Sequence, residues 1–86
     1  MKNLTPRQQF ILNELLNEGS LKIKNLQKQF DISDKTIYRE VTAINKCLSR
    51  YNINVFNSYN LELIISGKNE IIEKYWGILM KIVSIF

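Results

Sequence analysis

The stretch from Leu26 to Lys46 limits this chain more than any other part of it. Leu26 and Phe30 share one face of a short helical run. Asp31, Ile32 and Ser33 follow as a tight turn in which Ile32 is the lone apolar residue. Ser33 suits an N-cap, because its hydroxyl can accept a backbone N–H from the first turn of the next helix. After it, Ile37, Val41, Ile44 and Leu48 recur at spacings of four, three and four, which is one helical stripe.

The opposite face of the second helix differs in kind. At about 100° per residue, Lys35, Arg39, Thr42, Lys46 and Arg50 fall across from the Ile37 stripe, flanked by Thr36 and Ala43. A cationic helix face is by itself an ordinary solvated face. Preceded by a helix, a short turn and a serine cap, it becomes the second element of a helix-turn-helix, the element that enters the major groove of duplex DNA.

The same residues carry a family likeness. Phe30 to Val41, reading Phe-Asp-Ile-Ser-Asp-Lys-Thr-Ile-Tyr-Arg-Glu-Val, resembles the recognition segment of bacterial winged helix-turn-helix repressors and activators. Leu4-Thr5-Pro6-Arg7-Gln8-Gln9-Phe10-Ile11-Leu12 is similar to the opening of the same group. The nearest likeness is to the N-terminal DNA-binding domain of Mga-like regulators and of sugar-operon activators under phosphotransferase-system control. It covers roughly residues 4–67. Glu40 stands where the pattern has Asp, and Val41 where it has Leu.

The resemblance implies a cytoplasmic, sequence-specific double-stranded DNA-binding domain of a bacterial transcriptional regulator. The residues that would meet DNA are Ser33, Lys35, Thr36, Tyr38, Arg39, Thr42 and Lys46. Arg39 and Lys35 are long enough to reach guanine O6 and N7. Thr36 is better placed for a phosphate, and Ser33 is a cap first. A winged-helix module for protein–protein contact, without DNA, is the alternative.

The expected fold is mainly α with a small β-hairpin: a winged helix-turn-helix followed by an apolar C-terminal helix. Thr5 and Gln8 predict a capping box. Pro6 fits the first helical position, and Gly19 a left-handed stop. The first helix is therefore expected over 6–18, with Ile11, Leu12, Leu15 and Leu16 as its stripe. Ser20-Leu21-Lys22 is a single extended rung, with Leu21 inward. The second helix runs from about Ile23 to Phe30, where Lys24 and Lys28 face away from the core. The third spans roughly 34–51, its last turns from Asn45 packing back on the first helix.

Ile53 to Phe56 and Leu61 to Ile65 bracket a turn-forming tetrad, Asn57-Ser58-Tyr59-Asn60, and predict a hairpin. Val55, Leu61, Leu63 and Ile65 are its expected inward residues. In the resembling family this hairpin is the wing, whose tip often carries cations and glycine. This tip has neither. Two readings stand: polar contact with phosphate or sugar, or a hairpin that only completes the core.

Residues 1–67 form the winged unit, and 68–86 carry a last helix over about 69–85. Its apolar residues run nearly all round, from Ile71 through Tyr75, Trp76, Leu79, Met80, Ile82 and Val83 to Phe86. It falls short of the roughly 20 apolar residues a membrane span needs, so no membrane association is expected. A helix of this kind needs partners on more than one side. It predicts a homodimer, or contact with downstream regulatory domains, through residues 69–86.

Composition narrows the remaining classes. Of the 86 residues none is His and one is Cys. Without His the commonest general base and neutral metal ligand are gone. The lone Cys47 rules out an intrachain disulfide and reads as a half-buried free thiol. No metal, cofactor or catalytic triad is expected, and no enzyme activity. Residues 1–60 hold nine Lys/Arg against five Asp/Glu, while 61–86 hold three of each, so the net +4 lies in the helix-turn-helix part. That excess attracts phosphates without regard to sequence.

Overall fold

A computed structural model describes residues 4–58, 61–67 and 69–83, with residues 69, 82 and 83 described by backbone alone. The first helix, α1 (Pro6–Glu18), begins and ends on the expected signals. The Gln8 N–H donates to Thr5 Oγ1 at 3.2 Å, and the Thr5 N–H donates to Gln8 Oε1 at 3.0 Å. Gly19 stops the helix at φ 83°, a left-handed conformation that costs a residue without Cβ little.

The rung β1 (Ser20–Lys22) leads directly into α2 (Ile23–Phe30). Asp31 then turns the chain at φ 51°, its N–H bonded to the Gln27 carbonyl. Ser33 caps α3 (Asp34–Leu48), accepting the Thr36 N–H on Oγ at 3.2 Å. The third helix is shorter than the pattern predicts. Ser49–Tyr51 tighten into a 3-10 turn, and Asn52 ends it at φ 57°.

The strands β2 (Asn54–Asn57) and β3 (Glu62–Ser66) form the hairpin, and β1 joins the far side of β3. All pairs are antiparallel, with Leu21 opposite Leu63 and Val55 opposite Ile65. Ile53, Val55 and Leu63 are buried and Ile65 is half-buried, as a strand with one face inward requires. Leu61 departs from the expectation. It lies in the turn before β3, at φ 56°, and is 57% exposed. Period-two alternation holds only along extended backbone, and Leu61 is not in it. Tyr59 and Asn60 of the expected wing tip lie outside the described residues.

The last helix is also not one rod. It is divided into α4 (Asn69–Lys74) and α5 (Trp76–Val83) at Tyr75. The break sits two residues before Gly77, the weakest helix former in the segment apart from proline. It falls where the Tyr75 ring meets Tyr51, centroids 4.8 Å apart. Leu79 is fully buried, and α5 packs on α1. Trp76 and Ile78 stay 38% and 47% exposed. Lys68 and the terminal residues, among them Ile85 and Phe86, lie outside the described residues.

One core joins these parts. Ile11, Leu12 and Leu15 of α1 meet Leu26 of α2, Ile37, Ile44 and Leu48 of α3, Ile53, Val55 and Leu63 of the hairpin, and Leu79. Phe10 and Phe30 close its edge in an edge-to-face pair, centroids 5.2 Å apart at 73°. The result is a winged helix-turn-helix in which α3 turns one face to the core and the other to solvent.

Candidate nucleic-acid interface

The outer face of α3 collects most of the residues singled out in the sequence. Lys35, Tyr38, Arg39, Thr42 and Lys46 are exposed along it, with the Ser33 cap exposed at its start. Tyr38 is 60% exposed. Ile37, Ile44 and Leu48 on the reverse face are buried, so the helix cannot roll without losing its core. Among the described residues no carboxylate pairs with Lys35, Arg39 or Lys46. Their charges are held toward solvent.

The two expected hydroxyl groups are partly occupied. Thr36 is half-buried, with Oγ1 3.2 Å from Ser33 Oγ. Thr42 Oγ1 donates to the Tyr38 carbonyl at 2.9 Å. Each retains acceptor capacity, since a hydroxyl carries two lone pairs. Lys24 and Lys28 on α2 are also exposed. Gln27 Nε2 donates to Asp34 Oδ1 at 2.9 Å, tying α2 to the first turn of α3. A carboxylate there also suits the positive end of the helix dipole.

Between the start of α3 and the wing lies a groove of ≈ 230 Å³. Ile23 and Ile37 form its apolar wall, and Lys24, Gln27, Asp34, Tyr38, Asn57 and Leu61 line the rest. Wing and recognition helix therefore border one concave surface. On the α3 side it carries the Asp34 carboxylate and the Tyr38 hydroxyl, Lys24 adds a cation from α2, and the wing residues Asn57 and Leu61 bring no charge.

What holds α3 in place includes a polar network that hydrophobic periodicity does not reveal. Glu40 is 6% exposed. Its Oε2 accepts from Arg7 Nε at 2.6 Å and its Oε1 from Gln8 Nε2 at 3.0 Å. Glu40 had stood out only as a replacement for Asp. The available signal was its position, three residues after Ile37 and four before Ile44, which puts a carboxylate on the inward stripe. Such a group requires partners. They come from the first turn of α1, where Gln8 also completes the capping box. A second link is Asn45, which faces β2: its Nδ2 donates to the Val55 carbonyl at 2.9 Å, and its Oδ1 accepts the Val55 N–H at 2.7 Å. The end of α3 is thus bound to the wing as well as to the core.

Comparison with known proteins adds one match, to the Mga helix-turn-helix domain, over residues 7–75. No curated protein and no solved structure matches. Among the described residues no helix is long and apolar enough to cross a membrane. The family match spans α1, the helix-turn-helix, the wing and α4, the whole set of elements that builds the exposed α3 face. With the geometry and the matched residues in agreement, the chain belongs to the Mga helix-turn-helix domain family.

Proposed function

We propose that this chain binds double-stranded DNA in a sequence-specific manner, as the N-terminal domain of a bacterial transcriptional regulator working in the cytoplasm. Helix α3 enters the major groove with its N-terminal turns foremost. Arg39 and Lys35 reach base edges, Tyr38 and Thr42 lie over the groove floor, and Lys46, Ser33 and Thr36 meet the backbone. The observation that carries this reading is the two-sided character of α3. Its inner face is locked into the core by Ile37, Ile44 and Leu48. Its outer face presents cations with no carboxylate partner among the described residues, on a helix that lies within the span of the helix-turn-helix family match.

Titration of a fluorescent duplex at two salt concentrations tests it. Each phosphate neutralised contributes a slope of about −0.9 in log K against log salt. Binding through several lysines and Arg39 gives a steep fall; no measurable binding at low salt contradicts the proposal. In the second reading the domain docks proteins. What favours it is the exposed Trp76 and Ile78 on α5, apolar groups that a monomer leaves in water. The two readings are compatible if α4 and α5 hold a second copy or a regulatory domain while α3 holds DNA.

A further inference from the structure

We propose that the Asn45 carboxamide is the residue that positions the wing, fixing it to the recognition helix so that both meet DNA as one body. The inference rests on the DNA-binding reading for its consequence, but not for the link itself. Asn45 is half-buried on α3, between Thr42 and Lys46, at the border of the outer face. It bonds both backbone groups of Val55, at 2.9 and 2.7 Å. Val55 is opposite Ile65 in the hairpin, yet its own N–H and C=O point the other way, to the outer edge of β2. A carboxamide has the donor and acceptor of a peptide group, so Asn45 occupies that edge as a further strand would.

The wing needs such a link. Short two-stranded hairpins are marginal alone, and β1 supports only the far side of β3. Asn57, Ser58 and Leu61 bring no charge to the wing. Whatever the wing contributes must come from where it is held, because it has no cation to pull it onto phosphates. Asp keeps the shape but sets a negative oxygen against the Val55 carbonyl. Leu keeps the volume and makes neither bond.

This gives a test with an internal rescue. Wild type, Asn45→Asp and Asn45→Leu are titrated against a duplex enriched by the wild type from a randomised pool, and against random duplex. Protection of the Val55 amide from hydrogen exchange is followed in each protein. At about pH 7.5, Asn45→Asp binds the enriched duplex about tenfold more weakly, because it keeps an acceptor for the Val55 N–H but turns the bond to the Val55 carbonyl into a repulsion. Random duplex is affected less, and the Val55 amide loses protection in Asn45→Leu, which removes its acceptor. At about pH 4, close to the ordinary Asp pKa of about 3.9, about half of the Asp is protonated and regains a donor. Its binding then returns to within about twofold of wild type at the same pH, while Asn45→Leu stays weak at both. A general loss of stability would not reverse with protonation of this one group. Val55 protection unchanged in Asn45→Leu, wild-type binding by either variant at neutral pH, or no recovery of Asn45→Asp in acid each overturns the proposal. If the wild type enriches no duplex, the DNA reading fails, and Val55 protection alone decides the link.

Discussion

Arg7 Nε lies 2.6 Å from Glu40 Oε2, joining the first turn of α1 to the middle of α3. The two ends of this pair differ in exposure, at 37% for the Arg7 side chain and 8% for Glu40. The difference sets the sign of a prediction. Arg7→Ala leaves a carboxylate buried with Gln8 as its remaining partner, and should cost about 3 kcal/mol. Glu40→Ala leaves a guanidinium that can turn to water and a single unpaired Gln8 amide, and should cost about 1–2 kcal/mol. Chemical denaturation of both variants checks the order. Equal losses, or a larger loss for Glu40→Ala, would contradict the account of Glu40 as the buried member that depends on its partner.

Ile37 is the first inward residue of α3 and is 3% exposed. Its truncation to Ala should cost about 2–5 kcal/mol, the usual range for a buried aliphatic side chain. In a domain of this size that is a large part of the total. A thermal melt indistinguishable from wild type would show that α3 is not seated by its apolar stripe.

The polar links explain how far the chain could be understood before its structure was known. Local signals were sufficient for the helix-turn-helix. Thr5, Pro6, Gln8 and Gly19 bound α1, and Ser33 begins α3, because capping involves residues within one turn of each other. The outer face of α3 was legible for the same reason: Lys35, Arg39 and Lys46 are related by helical period alone. Glu40 with Arg7, and Asn45 with Val55, pair residues far apart in sequence. Their meeting depends on how helices and hairpin cross, which no local pattern encodes. Leu61 was misplaced because alternation was carried one residue beyond the strand, into a left-handed turn. Tyr75 interrupts a helix that periodicity extends without a break; Gly77 is the local signal nearby, and the contact with Tyr51 marks the place.

Leu79 is fully buried against the domain, so removing the C-terminal helices would damage the core itself. Self-association is therefore better tested at Trp76 and Ile78, which are exposed. The proposed dimer buries them, as soluble proteins seldom leave sizeable apolar patches in water. Sedimentation of wild type at tens of micromolar should show a dimer, and Trp76→Lys with Ile78→Lys should return it to monomer. A monomeric wild type, or a dimer unaffected by both substitutions, would assign α4 and α5 to the domain's own packing.

The most direct measurement concerns Arg39, exposed in the second turn of α3 with no carboxylate partner among the described residues. Binding of wild type and Arg39→Ala is compared on a duplex enriched from a random pool and on random duplex, at matched salt, with a thermal melt to show that the fold is intact. If α3 reads the major groove, Arg39→Ala should weaken the enriched duplex by about 1–3 kcal/mol and random duplex by much less. An equal loss on both would confine Arg39 to phosphate, and no loss on either would contradict the placement of α3 in DNA.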